Sequence, residues 1–143
     1  MVKLIDAIRS WFLKCPLLPP EKLLSIDKLG ADPGGYSIEP LSCTPIIAKY
    51  TDGGSMRQFQ FAFAGREIYN ERQNTKNTEF YEKLVSWVEK QSDKGNLPDL
   101  EEGRTAQYIE ILSNGYVYDS SDSTAIYQME LSLVYYQKWN FEI

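Results

Sequence analysis

The stretch that decides the fold is residues 123–138, STAIYQMELSLVYYQK. From position 125 to 135 every odd residue is apolar or aromatic, whereas the even residues from 126 to 136 mix apolar with polar types. Successive side chains of a β-strand point to opposite faces of its sheet. The alternation therefore predicts one long strand with one face in a hydrophobic core.

The second face of this strand carries Ile126, Val134 and Tyr136. It is more apolar than a face turned to water needs to be. We expect either a helix of this chain or a partner subunit to cover it, and the helices available in the chain favour the first explanation. The segment 139–143, WNFEI, is also apolar for a chain end, which suits a docking tail or a tucked strand end equally well.

Working outward, other extended segments precede this strand. Residues 56–64 place Phe59, Phe61 and Phe63 on one face, and the strand is expected to continue through 68–69. An Asp-Gly turn at 52–55 joins it to a strand at 45–50 as a hairpin. The remaining extended segments are an edge strand or connection at 36–41, interrupted by Pro40, and strands at 105–112 and 116–118 with turns at 113–115 and 119–122.

Three segments have helical spacing. Residues 2–15 place Leu4, Ile8, Trp11 and Cys15 on one stripe, and Pro16 ends the helix. The segment 21–29, after two prolines, predicts a short second helix. Residues 78–93 predict the central helix, with Asn77 or Thr78 as its N-terminal cap, a loop before it from 70, and Gly95 as its left-handed C-terminal residue.

These elements predict one α+β domain over residues 1–143. A mainly antiparallel β-sheet packs with an N-terminal helix and a central helix. The net charge of −5 disfavours specific nucleic-acid binding, which depends on Lys and Arg at phosphates. The apolar stretches are shorter than the ~20 residues of a membrane-spanning helix, and the charged N-terminus does not resemble a signal peptide.

Residues that commonly carry chemistry are scarce. Histidine is absent, which removes the usual general base and zinc ligand. Cys15 and Cys43 match no metal-ligand spacing, and we expect both to be small buried thiols of a reducing compartment rather than a disulfide. The glycines form turns and not phosphate-binding loops. We therefore predict a protein that is not an enzyme, with no catalytic residues, cofactor or metal.

Several blocks of the sequence together resemble a known family. They are GYSIEPL at 35–41, PII at 45–47, RQFQFAFAGRE at 57–67, FYE at 80–82, WV at 87–88, GNLP at 95–98, TAQYIE at 105–110 and AIYQMEL at 125–131. In combination they are similar to the tail terminators, also called tail-completion or "minor capsid"-type proteins, of phages and prophages of Gram-positive bacteria. The resemblance covers nearly the whole chain after the first helix, and its blocks are of the kind that determine a fold.

The resemblance implies a structural virion protein at the head-proximal end of a tail. Such subunits form a ring, commonly a hexamer, that caps the tail tube, ends its elongation and presents the surface for the head or neck. The implied partners are further copies of the chain, the major tail-tube protein and the head–tail connector. DNA passes through such a ring without sequence-specific binding, no membrane is involved, and assembly takes place in the host cytoplasm. The equivalent collar part of a tail-like bacteriocin is equally compatible.

The residues making these contacts are predicted from charge and position, not from a family motif. The polar segment 66–77 and the acidic segment 93–104 either contact neighbouring subunits or are simply solvated. Alternatives to a terminator are another neck, head–tail joining or minor capsid protein, and a small enzyme or stress-response protein with a deep polar pocket. The candidate subunit and tube contacts are Arg57, Arg66, Arg72, Lys94, Glu101, Glu102, Tyr136 and Trp139.

Overall fold

The computed structural model describes residues 3–18, 24–26, 29, 33–121 and 123–141. Two helices and six strands lie in these ranges, and the predicted α+β class is confirmed. The helices are α1 (Leu4–Phe12) and α2 (Glu71–Lys94). The strands are β1 (Leu24–Ile26), β2 (Tyr36–Pro40), β3 (Ile46–Lys49), β4 (Ser55–Ile68), β5 (Arg104–Ser120) and β6 (Thr124–Gln137).

The sheet has the strand order β1-β2-β4-β6-β5, and β3 pairs with β4 on the edge that β2 also uses. The pair β1–β2 is parallel, and the other described pairs are antiparallel. β4 and β6 form its centre and pair along their whole length, from Ser55 opposite Gln137 to Ile68 opposite Thr124. The two faces predicted for β6 and the predicted 52–55 hairpin turn are therefore confirmed.

Both helices pack on the sheet face that carries Phe61 and Phe63. Phe12 of α1 lies edge-on to Phe61, with ring centroids 6.2 Å apart, and Trp11 contacts Trp87 of α2 at 4.8 Å. Trp11 Nε1 also donates to the Asn96 carbonyl oxygen at 2.8 Å, which joins α1 to the end of α2. Aromatic pairs of this kind hold the first helix in a fixed position over the sheet.

Tyr81 of α2 lies flat on Tyr127 of β6, with ring centroids 5.1 Å apart and planes 8° from parallel. Two glycines of the sheet make this close approach possible. A Cβ at Gly115 would lie 2.8 Å from Tyr81 Cγ, and one at Gly65 would clash with the Tyr81 hydroxyl and lie 2.8 Å from the Tyr36 ring. Because Gly65 and Gly115 have no side chain, α2 can pack closely against the strands.

The short helix predicted for residues 21–29 is wrong over its described part. Leu24–Ile26 is strand β1, and Leu24 is buried opposite Tyr36. Pairing with β2 and burial of Leu24 outweigh the helical spacing, which was weak over so few residues. Residues 21–23 and 27–28 of that prediction lie outside the described residues.

The predicted edge position of β2 is also wrong. β2 lies between β1 and β4 over residues 36–38, and Pro40 stands beyond the end of β1, where no described strand needs its missing N–H. Pro40 therefore does not exclude β2 from the sheet interior.

The start of the central helix lies earlier than predicted. α2 begins at Glu71, and Asn70 is its N-cap, with Asn70 Oδ1 accepting the Gln73 N–H at 2.9 Å. The predicted loop from 70 and the predicted caps Asn77 and Thr78 are wrong. Asn77 is instead buried inside the helix and donates to the Ile68 carbonyl oxygen at 2.9 Å. Gly95 ends the helix in the left-handed region, as predicted (φ 77°).

The turn predicted at 113–115 is wrong as well. β5 runs without a break from Arg104 to Ser120, so residues 113–115 lie within the strand. Its register against β6 shifts between residues 111 and 113 and between residues 113 and 116, which marks β-bulges. Gly115 serves the contact with Tyr81 instead of a reversal of the chain.

Candidate subunit interface

The sheet face opposite the helices carries the even-numbered residues of β4 and β6. No described helix lies on this face, so α1 and α2 do not cover the second face of β6 as the favoured explanation expected. Part of it is uncharged: Gln58 Oε1 accepts from Gln60 Nε2 at 3.4 Å and from Ser132 Oγ at 3.5 Å. Glu130 lies on the same face opposite Ala62. Val134 lies between Gln58 and Tyr108 in the register and is buried.

The first open edge of the sheet is β5. Among the described strands it pairs with β6 alone. Its outer side is partly closed near Ile109, whose N–H donates to Ser92 Oγ of α2 at 3.1 Å. Beyond this point its side chains are largely exposed, and the exposed apolar members of β5 are Tyr108, Leu112, Tyr116, Val117 and Tyr118, of which Tyr118 is 61% exposed.

The charges of this edge are acidic. Between residues 105 and 121 the charged side chains are Glu110 and Asp119, both exposed. Both pair in register with the second face of β6, Glu110 opposite Ser132 and Asp119 opposite Ile126. We call the exposed group Glu110, Leu112, Tyr116, Tyr118 and Asp119 the β5 surface.

The second open edge lies at the β3–β4 hairpin. The turn is closed by Tyr50 N–H to the Gly54 carbonyl oxygen at 2.9 Å and by Gly54 N–H to Asp52 Oδ1 at 2.8 Å. Trp139 packs against Gly53, because a Cβ at position 53 would lie 2.7 Å from Trp139 Cβ. Trp139 is nevertheless 70% exposed. We call the exposed group Ile47, Lys49, Tyr50, Lys138 and Trp139 the hairpin surface.

The residues predicted as contacts fall at two separate ends of the molecule. The ring centroids of Tyr136 and Tyr50 are 6.2 Å apart, so Tyr136 lies close to the hairpin surface. Arg57, near the same end, is half-buried and donates from Nε to Ser55 Oγ at 2.9 Å, whereas Arg66 Nη1 reaches Thr124 Oγ1 at 3.4 Å. Residues 57 and 66 lie nine positions apart on one strand, or about 30 Å. The predicted residues therefore do not form one patch.

The other predicted residues divide in the same way. Trp139 belongs to the hairpin surface. Glu101 and Glu102 are exposed in the loop before β5, near the same end, because Lys138 N–H donates to the Gly103 carbonyl oxygen at 2.9 Å. Arg72 lies in the first turn of α2, near the opposite end, and Lys94 is the last residue of that helix.

Glu101 has an unusual backbone. Its φ is 64°, in the left-handed region that costs an ordinary residue about 1–2 kcal/mol. The loop is held in place by buried Leu100 and by Asp99 Oδ1, which accepts the Glu101 N–H at 2.9 Å.

Sequence reasoning missed most of the exposed apolar residues of both edges. The sequence predicts Ile47 and Tyr50 only as strand residues, and it predicts Tyr116 and Tyr118 in a separate short strand. A long strand with tyrosines at 108, 116 and 118 would have been a usable signal, because edge strands with exposed aromatic residues are candidate contacts. The predicted turn at 113–115 divides this strand in two, so the sequence prediction does not place the three tyrosines on one strand.

Three buried tyrosines and one buried cysteine have raised pKa values. Burial raises the pKa of Tyr36, Tyr81 and Tyr135 above the ordinary value, and nearby Glu67 raises the first two further. Burial likewise raises the pKa of the Cys15 thiol, against backbone hydrogen bonds from Leu17 and Leu18 that lower it. None of these groups is prepared to exchange a proton near neutral pH.

The described residues also bear on ligands and membranes. No group of three or more His, Cys, Asp or Glu side chains among them is placed to hold a metal ion. Within the same ranges, no helix is long and apolar enough to cross a membrane. A cleft of about 230 Å³ lies between α2 and β5, lined by Thr78, Tyr81, Glu82, Val85, Asn114 and Gly115. Cys15 and Cys43 are free thiols, and Cys43 is half-buried rather than buried as expected.

No protein-family model matches the chain, and no curated protein matches it.

Proposed function

We propose that this chain is a structural subunit of a phage tail or tail-like particle: a terminator that forms a ring, commonly a hexamer, on the head-proximal end of the tail tube. In this role it works by contact and not by catalysis. It ends tube elongation and offers its outer surface to the head or neck.

The observation that carries the proposal is that two sheet edges, along β5 and along β3, expose aromatic side chains. A ring subunit needs two different lateral surfaces, since a head-to-tail contact that repeats by rotation closes on itself. The β5 surface and the hairpin surface lie on opposite sides of the sheet, separated by β4 and β6. Both expose aromatic side chains of the kind enriched at protein–protein interfaces.

Two further features support the proposal. The sequence blocks that resemble tail terminators fall mainly on β2, β4, β5, β6 and the loop after α2, which are the elements that build the sheet and its edges. The charged side chains on the second sheet face include Glu110 and Glu130, and this negative charge disfavours binding of that face to a polyanion.

Tube polymerisation in vitro tests the proposal. The major tube protein of the same particle is polymerised with and without this chain, and tube lengths are measured by negative-stain electron microscopy. We expect addition of the chain to stop elongation at one end and to shorten the tubes in proportion to its concentration. Tubes of unchanged length at saturating concentrations would refute the terminator role, and binding along the tube wall would favour another neck or tail component.

A further inference from the structure

We infer that copies of this chain associate head to tail, the β5 surface of one copy contacting the hairpin surface of the next. The inference rests on the proposed ring and specifies which surfaces form its lateral contact. The partner is a second copy of the same chain, and the contact joins two different surfaces.

Charge complementarity identifies the partner. The β5 surface carries Glu110 and Asp119 and no cation, since the positively charged residue of that strand, Arg104, is buried at its start. The charged members of the hairpin surface, Lys49 and Lys138, are both cations. Asp52 lies in the adjacent turn, and Glu101 and Glu102 lie in the loop before β5 near the same end. Opposite charges on two surfaces of one chain favour contact between them and disfavour contact of either surface with itself.

Apolar area is present on both sides of the proposed contact. Leu112, Tyr116 and Tyr118 are exposed on one surface, and Ile47, Tyr50 and Trp139 are exposed on the other. Trp139 is the most exposed large apolar side chain in the described residues. Aromatic side chains surrounded by charge are typical anchors of protein interfaces.

The backbone of β5 argues against a symmetric contact in which two β5 edges extend one sheet. Four register shifts interrupt its ladder with β6, and such bulges bend a strand and spoil the straight row of backbone groups that a second strand would need. α2 also occupies part of that edge, because Ser92 Oγ accepts the Ile109 N–H. The contact is therefore made by side chains.

Charge reversal tests the inference. The β5 variant is Glu110→Lys with Asp119→Lys, and the hairpin variant is Lys49→Glu with Lys138→Glu. All four side chains are exposed, so the fold should be retained, which circular dichroism checks. The matched control, Asp6→Lys with Glu79→Lys, makes the same change in net charge as the β5 variant at exposed helix positions.

Assembly is measured by sedimentation velocity and mass photometry at equal protein concentrations. Each reversed variant alone should associate at least about tenfold more weakly than the wild type, because like charges then face each other. An equimolar mixture of the two variants should regain assembly, because each reversed surface meets a reversed partner. The control should behave as the wild type does, and the wild-type contact should weaken with salt.

The alternatives give different results. Loss of assembly in the β5 variant alone, with the hairpin variant unaffected, would mean a symmetric β5 contact and refute the inference. Wild-type rings that both variants retain would refute this contact and leave the ring proposal standing. Open head-to-tail chains with rescue on mixing would support this contact and refute the ring. A wild type that stays strictly monomeric, with and without tail tube, would refute both.

Discussion

Removing the Tyr81 hydroxyl should stabilise the protein. The side chain is 1% exposed, and its hydroxyl oxygen has no hydrogen-bond partner among the described residues. A buried polar group without a partner costs about 1–3 kcal/mol. Tyr81→Phe removes that cost and keeps the ring on Tyr127, so the free energy of unfolding should rise by about 1 kcal/mol.

Thermal and urea unfolding measure this effect. For a chain of this length 1 kcal/mol corresponds to about 3 °C in Tm. The matched control is Tyr118→Phe, whose hydroxyl is in solvent and whose removal should change the free energy of unfolding by less than about 0.5 kcal/mol. A Tyr81→Phe variant that is less stable than the wild type by 1 kcal/mol or more would show that the hydroxyl does have a partner and would refute the reasoning.

Gly65 lies on the other side of the contact with the Tyr81 hydroxyl, and substituting it tests the same packing. A Cβ at Gly65 would clash with it and with the Tyr36 ring, so Gly65→Ala should destabilise by about 1–3 kcal/mol. In the Tyr81→Phe background the cost should be about 1 kcal/mol smaller, because one of the two clashes is gone. Costs that simply add would mean that the two residues do not touch.

Three other predictions concern the helix cap, the thiols and the response to alkali. Asn70→Ala should destabilise by about 1 kcal/mol in urea unfolding, because Asn70 caps α2; an unchanged stability would contradict a helix start at Glu71. Cys43 should react with a thiol reagent in the native protein while buried Cys15 reacts only on unfolding; equal rates in the native protein would contradict the packing of α1. Because burial holds the pKa of Tyr81 well above its ordinary value, its proton is retained in the folded state after the unfolded chain has lost it near pH 10. Stability should therefore be unaffected by this group below about pH 10 and fall above it by up to ~1.4 kcal/mol per pH unit. Urea unfolding from pH 8 to 11 should show a shallower decline in Tyr81→Phe, and identical slopes would contradict the burial.

The centre of the fold could be predicted because its pattern is strictly local. Alternation is clear from Phe59 to Phe63 in β4 and from Ala125 to Tyr136 in β6, and the face it assigns to the core is the one that packs there. Gly95 and the Asp-Gly turn were equally accessible, because left-handed backbone and tight turns restrict residue choice strongly.

The elements that sequence could not assign depend on distant partners. β1 has three residues and exists because it pairs with β2, which no local pattern reveals. The first two turns of α2 are polar all round, so they carry no hydrophobic period from which a helix start could be read. The Asn-Gly pair at 114–115 has the composition of a turn, and its true role is the close contact of Gly115 with Tyr81.

The candidate interface was less accessible still. Arg57, Tyr136 and Trp139 were selected from charge and exposed apolar character, and they do lie near one open edge. The sequence does not predict the β5 surface, because the exposure of its side chains depends on β5 lying at the edge of the sheet. Strand order is set by long-range pairing and not by local pattern.

The most direct test of the ring proposal is cryo-electron microscopy of tail tubes incubated with this chain. Two-dimensional classes should show a closed ring of copies at one tube end, with the sheets side by side and adjacent subunits in contact. Tubes with two bare ends beside dispersed single subunits would contradict the proposal.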